Sequence, residues 1–249
     1  MTDRPLVISH AGCAGHAPPN TLAGVRKAIE LGADAVEVDV HTCAEGVPVV
    51  IHDSTLEGST DGSGSVHATP LATLRTLNAA AKHAGWPQRE SVPTLEEVVQ
   101  ETRGHILLVI EIKRVDIEAE VVEVIRMNDA VNDVMVWSFH PQVVAKFREY
   151  QPSIPAALLA HGEGWPDTRQ LFDEALRSNA QACSLHHLML TPGIAQAARR
   201  HGLGPYTWTV NDEDDMRRAL ECGVAGIVTD YPERLIALLE RRDEQRHGR

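Results

Sequence analysis

The sequence predicts an α/β fold, a TIM (β/α)8 barrel with a short β-hairpin excursion after strand 2. Its length of 249 residues suits one such barrel. Short β-branched runs alternate with helical patterns, as in a parallel sheet with crossover helices. One of these runs follows its predecessor too closely for parallel pairing. We predict a single barrel domain over residues 1–240 and a charged C-terminal tail over residues 241–249.

The chain contains nine candidate strands, one more than an eight-stranded barrel needs. They lie at residues 6–9, 35–40, 48–53, 106–113, 134–139, 156–160, 182–186, 205–210 and 226–230. Only seven residues separate Val40 from Pro48, too few for the crossover that joins parallel neighbours. The third run is therefore predicted to return antiparallel along the second, which leaves eight parallel strands.

The predicted hairpin turns near Glu45 and Gly46. A turn between these two residues pairs positions whose numbers sum to about 91. His52 is therefore expected opposite Asp39, within one residue. That position is the C-terminal mouth of the barrel, where the strands of this fold carry their functional side chains.

Helix boundaries are marked by capping residues. A helix over residues 21–31 is expected to begin at Asn20 and to end before Gly32. A second helix has Thr94 and Glu97 at the spacing of a capping box. Residues 28–39 and 219–230 share one order of helix end, glycine, strand and aspartate, as two copies of a helix–strand unit would.

Charge and cysteine usage limit the partners and the compartment. A net charge of −12 disfavours binding to nucleic acid and to anionic membranes, so we expect a small-molecule partner and no stable membrane association. The four cysteines have no C-x-x-C spacing, and the N-terminus lacks a signal-peptide core. A cytoplasmic protein is the prediction. No pattern in the chain indicates an oligomeric state.

Three carboxylates are predicted to face the barrel interior. Side chains alternate along a strand, so a valine face towards the helices leaves Glu37 and Asp39 on the inner face. The same alternation places Glu111 and Lys113 inside. Three oxygen donors converging from two strands favour a hard divalent ion, Ca²⁺ or Mg²⁺. A structural ion-pair network among these four residues is the alternative.

Two histidines end strands at the same rim. His10 ends the first strand and His52 ends the hairpin, so the pair could act as general acid and general base beside a divalent ion. Capping or packing roles are the alternative for each. In the PYTWTVND segment, Trp208 and Val210 are expected on one strand face, where the tryptophan could wall a substrate pocket or pack in the core.

The ordered motifs resemble those of glycerophosphodiester phosphodiesterases over residues 6–236. They are His10-x-Gly12, Pro18-x-Asn20-Thr21, Gly32-Ala33-Asp34, Glu37-x-Asp39-Val40, Val49-Val50-Ile51-His52-Asp53, Pro93-Thr94-Leu95-Glu96-Glu97, Glu111-Ile112-Lys113, Ser138-Phe139, Trp208-Thr209-Val210-Asn211 and Gly226-Ile227-Val228-Thr229-Asp230. The resemblance implies a TIM barrel that hydrolyses glycerophosphodiesters to sn-glycerol 3-phosphate and an alcohol with a divalent cation.

Site roles also follow from the resemblance by position. It implies His10 and His52 as the acid/base pair. It implies the three carboxylates as metal ligands, at Glu37, Asp39 and Glu111. Lys113 would contact the phosphate and Trp208 would border the substrate pocket.

The chain departs from the family pattern around the predicted phosphate site. Ala11 stands where the family has arginine, Pro19 where it has glutamate, and Gly58-Ser59-Thr60 where it has Arg-Thr-Thr. Loss of the arginine removes a charge-assisted bond of about 1.5–3 kcal/mol. His16 is a candidate to replace part of that charge. The departures leave two alternatives open, a lysophospholipase D-like diesterase and a noncatalytic barrel that binds phosphodiesters.

Overall fold

The computed structural model describes residues 4–162 and 167–247. Within these residues the chain alternates strands and helices. The strands are β1 Leu6–Ser9, β2 Ala35–Thr42, β3 Pro48–Val50, β4 Leu107–Ile112, β5 Val134–Ser138, β6 Ala156–Ala160, β7 Ala182–His186, β8 Gly204–Trp208 and β9 Gly226–Thr229. The α-helices are α1 Leu22–Glu30, α2 Leu71–Leu74, α3 Leu95–Thr102, α4 Glu118–Met127, α5 Pro141–Tyr150, α6 Thr168–Arg177, α7 Pro192–Arg200, α8 Glu213–Glu221 and α9 Pro232–His247.

The sheet closes into a barrel of eight parallel strands. Its order is β1-β9-β8-β7-β6-β5-β4-β2, and β1 pairs with both β9 and β2 to close the ring. The remaining strand, β3, lies outside the ring. Among the described strands it pairs only with β2, in the antiparallel direction. The predicted TIM barrel with a hairpin after strand 2 is confirmed.

The hairpin has the register that the turn predicts, within one residue. Val40 pairs with Val50 and Thr42 with Pro48, so partner numbers sum to 90. Gly46 has a φ of +80°, a turn conformation that favours glycine. The backbone N–H of Ile51 donates to the Asp39 carbonyl oxygen at 2.9 Å. His52 follows directly and therefore lies at the level of the inner carboxylates.

The two faces of the barrel strands separate charge from the apolar layer. The outward side chains of β2 and β4 are buried against helices α1, α3 and α4 in the largest apolar cluster; they are Val36, Val38, Val40, Leu108, Ile110 and Ile112. The barrel interior holds a second cluster that includes Ile8, Val109 and Trp137. The predicted alternation is confirmed, and it leaves the inner face at the mouth to polar residues.

Helix α1 begins one residue later than the sequence pattern indicates. Its cap is Thr21, whose hydroxyl oxygen accepts from the Gly24 N–H at 3.1 Å. The prediction that Asn20 is the cap is wrong. Its backbone has a φ of +57°, and its side chain binds Asp39 at the barrel mouth. The capping box at the start of α3 is confirmed, since Thr94 and Glu97 exchange both bonds.

Strand β8 is shorter than predicted. It ends at Trp208, so strict alternation does not extend to Val210. Val210 is buried with Met216 and Leu235 in a cluster on the helical side, whereas Trp208 packs on the barrel interior. The expectation that Trp208 and Val210 share a face is therefore wrong.

The C-terminal segment and the cysteines have defined environments. Helix α9 continues through residues 241–247 of the segment expected as a tail. All four cysteines are free thiols and buried. Among the described helices, the longest and most apolar stretches fall short of what crossing a bilayer requires.

Candidate active site

Three carboxylates converge at the C-terminal mouth of the barrel. Glu37 and Asp39 project from β2, and Glu111 projects from the β4 position paired with Asp39. One oxygen from each lies within 4.8 Å of the others. All three residues are buried, with exposures of 4, 2 and 8%. The strand register therefore gathers the three predicted ligands at one point.

Asp39 is held by an amide and by an ammonium group. Asn20 donates from its side-chain nitrogen to Asp39 Oδ2 at 2.7 Å and accepts from the Asp39 N–H at 2.9 Å. Lys113 Nζ lies 3.3 Å from Asp39 Oδ1 and 2.8 Å from Glu111 Oε1. These contacts fix the Asp39 and Glu111 carboxylates, and none of them involves Glu37.

Glu37 retains an unpartnered oxygen. Its Oε2 accepts from the Ala11 N–H at 2.9 Å, but its buried Oε1 has no hydrogen-bond partner among the described residues. Burial and the neighbouring Asp39 charge raise the pKa of Glu37 to about 8. Burial and Asp39 also raise the pKa of Glu111. The cluster therefore has less positive charge than its three carboxylates call for, and a bound cation would supply the difference.

The ion-pair alternative accounts for only part of this arrangement. Lys113 contributes one positive charge against three carboxylates, and its contacts reach Asp39 and Glu111 but not Glu37. Those charges raise the pKa of Lys113 even though burial opposes it. Three clustered oxygen donors suit a hard divalent ion. The Lys113 contacts therefore do not account for the whole cluster, whose three carboxylates could hold a metal ion.

His10 is oriented by a carboxylate from the opposite end of the chain. Its Nδ1 lies 2.7 Å from Asp230 Oδ1, and Asn211 donates to Asp230 Oδ2 at 2.6 Å. Burial alone would lower the pKa of His10, but Asp230 and Glu37 outweigh it and raise the pKa to about 9. This pairing leaves Nε2 as the ring nitrogen available to a substrate.

His52 has a partner of its own. Its Nδ1 lies 2.9 Å from Asp53 Oδ1, while Ser59 donates to Asp53 Oδ2 at 3.4 Å. The ring is 57% exposed, and the contact of Nδ1 with Asp53 leaves Nε2 as the other ring nitrogen. Gly58 leaves room for this pair, since a Cβ there would meet Asp53 Oδ2 at 2.1 Å. Each histidine thus has an aspartate that fixes one ring nitrogen.

Two cavities meet at this cluster. The narrower, about 230 Å³, is lined by the three carboxylates, Lys113, both histidines and an apolar wall that includes Phe139 and Trp208. The wider, about 350 Å³, extends towards the segment between β3 and α3, called here the insertion (residues 54–93). His10, Asp39 and His52 line both cavities. The structure therefore brings all seven predicted site residues together.

Trp208 is fixed as a wall of the narrower cavity. Its indole N–H donates to the Ser184 carbonyl oxygen at 3.1 Å, and its ring meets Phe139 edge-on with centroids 5.4 Å apart. Lys113 Nζ lies 5.9 Å from the Phe139 ring centroid. These contacts combine the two roles expected for this tryptophan, because its ring both packs and borders the cavity.

His16 does not replace the missing arginine. Its Nε2 lies 3.0 Å from Glu233 Oε2, and its ring packs edge-on against Tyr231. It lines neither of the two cavities at the mouth. The expectation for His16 is therefore wrong. Ala11 and Pro19 line the wider cavity, where their small side chains leave open space.

The fold and the site together define a class: a TIM barrel with an acidic, histidine-flanked site at its C-terminal mouth. A family model for the glycerophosphoryl diester phosphodiesterase family matches residues 10–234. The chain belongs to that family.

Proteins of known sequence and structure agree with this assignment. A glycerophosphodiester phosphodiesterase of Caldanaerobacter subterraneus is 32% identical, over 95% of this chain and 98% of its own length. An Oleispira antarctica phosphodiesterase, solved in complex with the product sn-glycerol-3-phosphate, matches with a TM-score of 0.85 at 26% identity, over 95% of this chain and 97% of that one. A glycerophosphodiester phosphodiesterase of Agrobacterium tumefaciens matches with a TM-score of 0.82 at 27% identity, over 94% of this chain and 100% of that one.

Proposed function

We propose that this protein hydrolyses glycerophosphodiesters to sn-glycerol 3-phosphate and an alcohol in a metal-dependent reaction. The observation that carries the proposal is the gathering of two aspartate-paired histidines and three buried carboxylates around one cavity. Family membership and the product bound by the Oleispira antarctica phosphodiesterase support the same substrate class.

Glu37, Asp39 and Glu111 are the residues that would hold the cation. The unpartnered Glu37 Oε1 and the oxygen-only donor set fit Ca²⁺ or Mg²⁺. When bound, such an ion acts as a Lewis acid that offsets negative charge on the phosphate. The remaining chemistry belongs to side chains of this chain.

The two histidines move the protons. His10, whose Asp230 partner raises its pKa against the effect of burial, fits the general acid that gives a proton to the leaving alcohol. His52 then serves as the general base that removes a proton from the nucleophile, either water or the glycerol 2-hydroxyl. Asp230 and Asp53 hold the two rings in position through Nδ1.

Lys113 and the aromatic wall position the substrate. The Lys113 ammonium lines the narrower cavity and would stabilise negative charge that develops on the phosphate oxygens. Phe139 and Trp208 would pack against the carbon skeleton of the glycerol. Both rings are in contact with each other, so the wall is already formed.

A second candidate is a diesterase with another substrate, such as a lysophospholipase D-like enzyme. The observation in its favour is the wider cavity, whose wall is largely apolar and is opened by Ala11 and Pro19. An acyl chain or a bulky alcohol would find space there.

A substrate panel with metal removal tests the proposal. Turnover of glycerophosphocholine, glycerophosphoethanolamine, lysophosphatidylcholine and bis(p-nitrophenyl) phosphate is measured in Mg²⁺, in Ca²⁺ and after EDTA treatment. We expect glycerophosphodiesters to be the preferred substrates, and activity to vanish with EDTA and return with added cation. Preference for lysophosphatidylcholine would favour the second candidate. Binding without turnover would instead indicate a noncatalytic barrel, and activity that survives EDTA would contradict the metal dependence.

A further inference from the structure

The wider cavity connects the reaction centre with the insertion. Its inner end is lined by His10, Asp39 and His52, and its other wall includes Lys82 and His83 of the insertion. The first three residues also line the narrower cavity. With a phosphate bound between the two histidines, each cavity would be placed to receive one of its two ester substituents.

The glycerol fits the narrower cavity. All three carboxylates and Lys113 line it, whereas Asp39 is the one carboxylate of the three that also lines the wider cavity. Glycerol hydroxyls find hydrogen-bond partners and cation-site oxygens in the narrower cavity, and its carbon atoms find the aromatic wall. The leaving alcohol then occupies the wider cavity and points towards the insertion.

Lys82 carries a positive charge that the described part of the chain leaves without an ion pair. The other three lysines are all paired: Lys27 with Glu30, Lys113 with Asp39 and Glu111, and Lys146 with Asp116 and Glu118. Lys82 lines the wider cavity and forms no ion pair within the described residues. Its charge is available to a ligand there.

The acidic residues of the insertion are occupied elsewhere. Glu57 accepts from the Gly64 N–H at 2.8 Å, and Asp61 accepts from the Asn78 N–H at 2.7 Å. Glu90 accepts from the Trp86 indole N–H at 3.2 Å. Asp53, which also lines the cavity, is paired with His52.

The two arginines of the insertion are paired as well. Arg75 binds Glu97, and Arg89 lies 3.5 Å from Asp61. Because the chain as a whole has a net charge of −12, attraction of an anionic group to this cavity has to be local. Lys82 is the residue placed to supply it.

We propose that the wider cavity is a subsite for a leaving alcohol that carries an anionic group, a carboxylate or a second phosphate, and that Lys82 determines this specificity. The inference rests on the proposed function and adds the class of alcohol. The ammonium of Lys82 pairs with the anionic group at the far end of the alcohol, while His10 protonates the ester oxygen at its near end.

Two substrates that differ by one carboxylate test the subsite. Glycerophosphoserine and glycerophosphoethanolamine are compared by kcat/KM at low salt, with glycerophosphoinositol 4-phosphate as the phosphate-bearing arm. For wild type we expect kcat/KM to be about fivefold higher for the serine ester than for the ethanolamine ester. This ratio corresponds to the upper end of the interaction free energies found for exposed ion pairs. Lys82→Gln should reduce that preference to about one through a higher KM, and Lys82→Glu should invert it. Lys82→Arg should restore it.

The matched control is Lys27→Gln, which removes the same charge from helix α1 and should keep the wild-type preference. A serine preference that is unchanged in Lys82→Gln would overturn the proposal, as would equal losses for both esters. Turnover of glycerophosphoethanolamine without any preference for the anionic esters would overturn the subsite alone. Failure to hydrolyse every glycerophosphodiester would overturn the proposed function as well. If only the phosphate-bearing ester is favoured, the group recognised is a second phosphate.

Discussion

Replacement of His52 by alanine is expected to lower kcat by about 10²- to 10⁴-fold, the contribution of a positioned acid or base. The imidazole lines both cavities and is held by Asp53 through Nδ1, so its loss removes the proposed proton acceptor without opening a cavity in the core. The ring is 57% exposed. The free energy of unfolding should therefore change by no more than about 0.5 kcal/mol.

Steady-state kinetics on the best glycerophosphodiester, together with urea unfolding, measure both quantities. The control is His105→Ala, an exposed histidine outside the two mouth cavities, which should leave both rate and stability unchanged. Activity of His52→Ala equal to that of wild type would remove this residue from the mechanism. A large loss of stability would assign it a structural role.

Replacement of Glu37 by glutamine is expected to remove the stabilisation of the protein by Ca²⁺ or Mg²⁺. For wild type, cation at about 100 times its Kd stabilises the fold by about 2.7 kcal/mol. That corresponds to a rise in Tm of about 5–11 °C for a chain of this size. In EDTA the variant should melt at or above the wild-type Tm, because glutamine replaces a buried carboxylate whose pKa is raised to about 8.

Thermal melts in EDTA and in each cation give this comparison without reference to activity. Glu101→Gln is the matched control, since Glu101 pairs with Arg26 on the surface and should keep the full metal-induced shift. An equal shift in Glu37→Gln and wild type would place the cation elsewhere. No shift in wild type at saturating cation would contradict the metal site.

The fold and the inner carboxylates could be predicted because their signals are local and periodic. The seven-residue gap between Val40 and Pro48 excludes a crossover, and the hairpin register follows from the turn at Gly46. Alternation along β2 and β4 then determines which side chains face inward. The parallel register of β2 and β4 then brings the carboxylates together, because it pairs Asp39 directly with Glu111.

The supporting residues could not be predicted from the same signals. Asp230 and Asn211 orient His10 from the other end of the chain, a contact that closure of the barrel creates and that no spacing indicates. The terminal aspartate of the repeated helix–strand unit was the available signal. The sequence predicts Asn20 as a helix cap because asparagine favours that position, but its bonds to Asp39 override the local preference.

The contribution of the insertion to the site could not be predicted from the sequence either. It lacks the period of a long helix or strand, and its contribution to the wider cavity depends on how it folds back over the mouth. The pairing of its charged side chains, which leaves Lys82 free of an ion pair within the described residues, is a property of that arrangement. Two element boundaries also differ from the prediction, because tertiary contacts determine them. Thr21, not Asn20, caps helix α1, and strand β8 ends at Trp208.

The most direct test of the account is anomalous diffraction from crystals grown with Mn²⁺, which takes the same carboxylate ligands as Mg²⁺ and Ca²⁺. We predict one strong peak at the barrel mouth, within about 2.6 Å of oxygens from Glu37, Asp39 and Glu111. A mouth without a peak at saturating Mn²⁺, or a peak bound by other residues, would contradict the proposal that these three strand carboxylates assemble a catalytic cation site.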